Sequence, residues 1–150
     1  MLRDQINEAL KVAVKSQDKR RMATLRLINA AIKDRDIAAR TGGKDSVSDD
    51  EIRELLQKMV RQREESAVVY AEAGRTELAE QEREEIEIIR DFLPRQLSED
   101  EIKSAVTEVI QEYDASGLKD MGRCMGALKE RFNGAMDFGK AGKLMKEQLI

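Results

Sequence analysis

The sequence predicts an all-α fold, in which a multi-helix N-terminal domain is followed by a small three-helix C-terminal bundle. Three observations support this prediction. Apolar residues recur at the three- and four-residue intervals of a helix along nearly the whole chain. Ala, Glu, Lys, Arg and Leu, which favour helix, dominate the composition, and there is a single proline. No stretch alternates apolar and polar residues as a half-exposed strand does.

The first two helices are predicted from apolar stripes near the N-terminus. One stripe runs from Leu2 to Ala13 and a second from Met22 to Ile32, both at helical spacing. The polar stretch between them predicts a break near Asp18. Residues 40–48, with paired glycines, predict a loop after the second helix.

A third and a fourth helix are predicted from their end signals. Ser48 followed by Glu51 has the spacing of a capping box, in which each side chain binds a free amide at the helix start. Gly74 predicts the end of this third helix in a left-handed conformation. Thr76 begins the fourth helix, which runs toward Phe92.

A domain boundary is predicted at residues 93–98. Pro94 disfavours helical angles at the preceding residue, and Ser98 with Glu101 forms a second capping box just beyond it. Three further apolar stripes follow at helical spacing. The sequence therefore predicts a helical N-terminal domain over residues 1–93 and a three-helix domain over residues 98–150.

The residue types exclude several kinds of site. The chain has no histidine, so a Ser–His or Cys–His nucleophile pair is impossible. One cysteine cannot form an intrachain disulfide or supply a zinc site. Cys124 lies at core spacing and is interpreted as a buried structural thiol. No catalytic residue, metal site or cofactor is predicted.

Composition also sets expectations for location and partners. A single cysteine fits a reducing compartment, no apolar run approaches the length of a membrane span, and the first ten residues lack a signal-peptide core. We therefore expect a cytoplasmic protein with neither membrane nor DNA as a partner.

The carboxylates of residues 80–91 interleave with arginines, which is typical of a solvated helix face.

The stretch KDMGRCMGALKERFNGAMDFGKAGK, residues 119–143, contains five of the nine glycines. It lacks the spacing of either phosphate-binding fingerprint and follows no strand. Gly122 and Gly126 lie four apart on one helix face, which favours close helix packing. The alternative is a glycine-lined surface that binds an RNA backbone through cations. The candidate RNA-binding residues are Lys119, Arg123, Lys129, Arg131, Lys140 and Lys143.

Basic residues are also concentrated near the N-terminus, although the net charge of the chain is −3. Residues 1–40 carry ten basic and five acidic side chains. Within them Arg26 lies between Leu25 and Leu27, and it is expected to form an ion pair with a carboxylate of a neighbouring helix. Local basic faces of this kind can meet an anion even on an acidic protein.

Four long strings resemble the YqeY family, small proteins of the GatB/YqeY class. They are TLRLINAAIKDRDI (24–37), QREES with YAEAGRTELAEQEREEI (62–86), FLPRQLSEDEI (92–102) and residues 116–149. The resemblance covers essentially the full length. It implies an all-helical protein whose C-terminal part is similar to the tail of the B subunit of glutamine-dependent aminoacyl-tRNA amidotransferases.

Three functional hypotheses remain open, of which the first and third rest on the resemblance and the second on the glycine-lined helix. The first is a non-catalytic accessory protein that binds tRNA or a tRNA-amidation assembly, with amidotransferase or synthetase components as partners. The second is a helical protein–protein adaptor that makes no RNA contact. The third is a carbon–nitrogen ligase with glutamine as amido donor, for which the residues supply no phosphate loop and no amidase Ser/Lys pair. The family resemblance transfers no catalytic residue to this chain.

Overall fold

The computed structural model describes all residues 1–150, and every regular element in it is helical. The all-α prediction is confirmed. A 3-10 turn at Leu118–Asp120 precedes the sixth helix. The seven α-helices are α1 (Leu2–Ser16), α2 (Lys19–Thr41), α3 (Asp49–Glu72), α4 (Thr76–Arg90), α5 (Glu99–Glu112), α6 (Met121–Phe132) and α7 (Phe138–Leu149). No helix is both long enough and apolar enough to span a bilayer.

Contacts along the chain group it into two compact units. The first unit, Met1–Pro94, contains α1 to α4, and the second, Arg95–Ile150, contains α5 to α7. Each unit has a separate cluster of buried apolar side chains. Both clusters are almost purely aliphatic, because the chain has no Trp and only five other aromatic residues.

Local signals in the sequence set the helix ends. Ser48 and Ser98 each accept a hydrogen bond from the amide of the glutamate three residues later, and both capping boxes are complete. Asp18 caps α2 by accepting from the Arg21 amide, directly after Gln17 in a left-handed conformation (φ 58°). Gly74 also has positive φ, 75°, as its position after α3 predicts. These predictions are confirmed.

Several arginine–carboxylate ion pairs join helices within the first unit, and the two with the most buried carboxylates are Arg3–Asp36 and Arg63–Glu85. Arg3 of α1 donates to both oxygens of Asp36 on α2, at 2.7 and 2.9 Å, and Asp36 also accepts from the Val47 amide at 2.9 Å. Arg63 of α3 donates to Glu85 of α4 at 3.1 Å, and both side chains are at least 85% buried. Bidentate or largely buried ion pairs of this kind fix the relative orientation of two helices, which aliphatic contacts alone determine less specifically.

The second unit is a three-helix bundle in which each helix packs against the other two. Two hydrogen bonds join the segment before α5 to the α6–α7 loop. The Gln96 side chain donates to the Gly134 carbonyl at 2.8 Å, and the Leu97 amide donates to the Ala135 carbonyl. Gly134 has φ 76°, a conformation that favours glycine. Residues 95–97 therefore belong to the second unit.

Replacement of Asp36 by Asn should lower the free energy of unfolding of the first unit by about 2 kcal/mol at pH 7. The Arg3 guanidinium and the Val47 amide lower the pKa of the Asp36 carboxyl. Its stabilising effect is therefore present above the unfolded-state pKa of about 3.9 and is lost as the pH falls through the folded-state value. Urea unfolding at pH 7 and at pH 3 measures this difference.

The matched control for this prediction is Asp34→Asn, because Asp34 is an exposed residue of the same helix. It should leave stability unchanged at both pH values. An equal effect of the two substitutions, or a loss at Asp36 that persists undiminished at pH 3, would contradict the assigned role of the ion pair.

Candidate nucleic-acid interface

All six candidate RNA-binding side chains are exposed in the second unit, but their environments differ. Lys119 lies in the 3-10 turn before α6. Arg123, Lys129 and Arg131 lie on α6, while Lys140 and Lys143 lie on α7. Carboxylates and other acceptors contact some of these groups and leave others free, so the six do not form one uniform basic patch.

The two arginines of α6 are already engaged. Arg131 forms a two-pronged ion pair with Glu112 of α5, at 2.7 and 2.8 Å, and this lowers the pKa of the glutamate. Arg123 donates to the Tyr113 carbonyl at 2.9 Å and lies 5.3 Å from the centre of the Tyr113 ring. Asp120 is a further partner of Arg123, at 3.4 Å. Both guanidiniums are therefore held in place by α5 and its C-terminal turn.

Lys140 and Lys143 line a cleft between α5 and α7. The cleft has a volume of about 450 Å³. It is lined by Glu99, Asp100, Ile102, Lys103, Lys140, Lys143, Leu144 and Glu147. Three carboxylates thus accompany three ammonium groups, which weakens the local attraction for an anion.

Lys119 and Lys129 are the freest of the six cations, since both are exposed and neither forms an ion pair. They lie at either end of the face of α6 that contains Gly122 and Gly126. A methyl group added at either glycine would meet no atom within 4 Å. The expectation that these two glycines allow close helix packing is therefore wrong, because their face points to solvent.

The glycine at the packed interface is a different one. Gly142 of α7 faces Met121 and Met125 of α6, whose side chains would lie 3.8 Å from an added methyl group. Flexible methionines thus fill the space beside α7, and open solvent lies beside Gly122 and Gly126. The sequence pattern identified the small residues but could not assign them to the inner or outer face.

A second set of exposed cations lies in the basic N-terminal segment, outside the six candidate RNA-binding residues. Lys19, Arg26 and Lys33 lie seven residues apart along α2, all exposed and without an ion pair. The expectation that Arg26 anchors an ion pair between helices is wrong. The exact seven-residue spacing was a visible signal, but it indicates an exposed row only after the buried face of α2 is known.

Most carboxylates of residues 80–91 are exposed, as the sequence predicts, and several carboxylates of this segment also pair with arginines of other helices. Glu85 pairs with Arg63 of α3, and Glu84 pairs with Arg20 of α2 at 3.3 Å. Burial, and next the charge of Glu85, raise the pKa of Glu82. No group of three Asp, Glu or Cys side chains is arranged as a metal-binding cluster. Glu84 and Glu85 therefore link α4 to α2 and α3 within the first unit.

A model of the family described as Yqey-like protein matches residues 3–149. The chain belongs to the YqeY family. The full-length resemblance seen in the sequence is thereby confirmed, and the family match includes both structural units. It does not by itself assign a ligand to the exposed cations.

Two curated relatives, both named "Altered inheritance of mitochondria protein 41, mitochondrial", are similar to this YqeY-family chain. The one from Lachancea thermotolerans is 32% identical over 121 residues, which cover 77% of this chain and 63% of the relative. The one from Clavispora lusitaniae is 31% identical over 144 residues, which cover 93% of this chain and 80% of the relative. Their names place these relatives in mitochondria, whereas the composition of this chain predicts a cytoplasmic location, which stays a prediction.

Cys124 should react slowly with thiol reagents in the native protein. Its side chain is fully buried in the second unit, as the sequence predicted, and burial raises the pKa of the thiol. At pH 8 we expect labelling by Ellman's reagent to be at least about 100-fold slower than in denaturant. A Ser104→Cys variant, which adds an exposed thiol on α5, should gain one fast-reacting group. Fast labelling of the unsubstituted native chain would contradict this assignment.

Proposed function

We propose that the second unit binds the phosphate backbone of RNA, with tRNA as the physiological class. The observation that supports the proposal is the pairing of free Lys119 and Lys129 with the open glycines of α6. Two exposed ammonium groups that form no ion pair flank a helix face without side chains at Gly122 and Gly126. A phosphate backbone can approach such a face closely, and binding releases its counterions.

The available aromatic residues favour backbone contact over base reading. Phe132 and Phe138 are the phenylalanines of this unit, and both pack against its buried cluster. Sequence-specific single-strand binding usually stacks bases on exposed aromatic rings. Charge and shape are therefore the means by which this surface would recognise RNA, as expected for a structured molecule such as tRNA.

Within this proposal the protein is a non-catalytic accessory factor related to the tRNA-contacting tail of glutamine-dependent amidotransferases. Its partners would be tRNA and components of a tRNA-amidation assembly. Arg123, which is one residue from Gly122 and donates to the Tyr113 carbonyl, lies beside the glycine face, whereas Arg131 is paired with Glu112 of α5. A carbon–nitrogen ligase activity of the chain itself is the weaker alternative.

A protein–protein adaptor is the second candidate, and one observation favours it. Leu118 is 50% exposed and lies one turn before Gly122. An exposed leucine beside two open glycines is a surface on which an amphipathic helix could lie closely. Such a partner would use the same face of α6, so the two candidates exclude each other at that face.

We also propose that the two units are independently folding domains, an N-terminal helical domain and a C-terminal domain similar to the amidotransferase tail. Each has its own buried aliphatic cluster. The hydrogen bonds of Gln96 and Leu97 to the α6–α7 loop favour a start for the second domain slightly before the residue 98 predicted from sequence.

A fragment of residues 95–150 should fold alone into a helical, cooperatively unfolding domain. A matched fragment that begins at residue 98 lacks the Gln96 and Leu97 hydrogen bonds and should be less stable by about 1–2 kcal/mol. Circular dichroism during thermal unfolding measures both. An unfolded 95–150 fragment would contradict the domain proposal, and equal stability of the two fragments would contradict the role of residues 95–97.

The double substitution Lys119→Glu with Lys129→Glu should weaken tRNA binding at least tenfold. It should also reduce the slope of log affinity against log salt by about two, because two phosphate contacts are lost. Electrophoretic titration with total tRNA at low salt measures both quantities. The matched control, Lys140→Glu with Lys143→Glu, changes the same number of charges beside the carboxylates of the α5–α7 cleft and should have a smaller effect.

Two results would count against RNA binding at this face. One is the absence of a tRNA complex at roughly 50 µM chain, where even non-specific binding is usually visible. The other is an equal loss in the two double variants, which would indicate a general charge effect. Recovery of a protein partner by the intact chain from extract, lost on substitution of Leu118 and unaffected by nuclease, would favour the adaptor.

A further inference from the structure

The outer face of α2 carries a regular row of cations. Lys19, Arg26, Lys33 and Arg40 recur every seven residues, which corresponds to about 10.5 Å along a helix, and all four are exposed. The inner face of the same helix is buried through Leu25, Ile28 and Ile32. The row therefore runs almost the whole length of α2 on the side away from the core.

Exposed aliphatic residues accompany this row. Ala23, Ala30 and Ile37 also recur every seven residues, each one turn from a member of the cation row, and Leu27 lies beside them. Leu27 is 49% exposed and Ile37 is 52% exposed. The outer face of α2 is thus a narrow aliphatic stripe with the cation row along one side and one exposed carboxylate, Asp34, beside Leu27, an arrangement that suits packing against another helix.

The complementary surface lies on the hairpin formed by α3 and α4. Residues 64–87, which we call the hairpin arm, carry nine acidic and two basic side chains. In the α3 part of the hairpin arm, Glu65 and Glu72 are exposed, lie seven residues apart and form no ion pair. Val68 and Val69 lie between them on the same side of the helix and are 55% and 62% exposed.

The two surfaces match in charge, spacing and apolar content. Over seven residues α2 presents Arg26 and Lys33 around Ala30, and the hairpin arm presents Glu65 and Glu72 around the valine pair. Oppositely charged residues at equal spacing can pair while the aliphatic residues between them make contact. Charge complementarity of this kind sets the register and partner choice of packed helices.

We propose that this protein self-associates through its first unit, with α2 of one copy docked on the hairpin arm of a second copy. A twofold arrangement makes the contact twice, because each copy supplies one α2 and one hairpin arm. The duplication matters, since a single helix–helix contact falls short of the roughly 800 Å² per partner that a stable interface usually buries.

A helix explains the α2 surface better than a nucleic-acid backbone does. Phosphates are neutralised by the cations alone and make no use of exposed Leu27 and Ile37. The hairpin arm also leaves Val68 and Val69 in solvent unless another surface covers them. One contact therefore accounts for the exposed aliphatic groups on both helices as well as for the opposite charges.

A charge-swap experiment tests the proposal with the full chain. Sedimentation equilibrium at about 20 mM salt, where screening is weak, should show a monomer–dimer equilibrium that shifts to monomer at high salt. The variants Arg26→Glu/Lys33→Glu and Glu65→Lys/Glu72→Lys should each dimerise at least tenfold more weakly. An equimolar mixture of the two should associate again, because one contact then pairs native residues and the other pairs swapped residues.

The matched control is Lys11→Glu/Lys15→Glu, which changes the same net charge on exposed positions of α1. It should leave the dimer intact, and adding it to Glu65→Lys/Glu72→Lys should restore less association than adding Arg26→Glu/Lys33→Glu does, because only one of the two contacts in that mixed dimer then pairs opposite charges. Circular dichroism checks that each variant is folded. A chain that stays monomeric at about 100 µM and low salt overturns the proposal, as does failure of the mixture to associate.

The same variants separate this proposal from RNA binding by the second unit. At chain concentrations where both proteins are monomeric, substitutions at Arg26 and Lys33 should leave the tRNA affinity within about threefold of the original, because the proposed phosphate contacts are Lys119 and Lys129. If those α2 substitutions abolish tRNA binding without changing the molecular mass, the α2 surface serves a nucleic acid and the self-association proposal is wrong.

Discussion

The pairing of cations with carboxylates decides which surfaces of this protein are available to an anion or to an acidic partner. Arginine supplies the positive charge where two helices are tied together, as in Arg3–Asp36, Arg63–Glu85 and Arg131–Glu112. Its planar fork binds a carboxylate in two places and is more weakly hydrated than an ammonium group. Lys119 and Lys129 are exposed and form no ion pair, whereas Arg123 and Arg131 are paired with carboxylates, so a count of charges alone overstates the basic surface.

The distance along the chain between interacting residues explains how much of the structure could be predicted from the sequence. Helix ends depend on residues within about four positions of each other, so Asp18, Ser48, Gly74 and Ser98 indicated them correctly. The candidate site depends on residues far apart in the chain. Glu112, for example, lies nineteen positions before the Arg131 that it neutralises, and no local pattern indicates that partner.

The outer faces were the least predictable feature, since a helical period does not say which side of a helix is buried. Gly122 and Gly126 share a face in any helix. That face points to solvent because α6 packs on its neighbours through Cys124 and Leu128, which lie on the opposite side. Arg26 lies next to buried Leu25 in sequence and still projects outward, about 100° around the helix. One residue of offset thus separates a core position from a surface position.

The proposed anion-binding surface and the proposed self-association surface lie in different units, and this separation would have a functional consequence. A dimer formed through α2 and the hairpin arm carries two second units, each with its own Lys119 and Lys129. An RNA that contacts both gains from the high effective concentration of the second contact, without any new interaction. Two surfaces that each bind RNA weakly would then together bind one large RNA with a higher overall affinity.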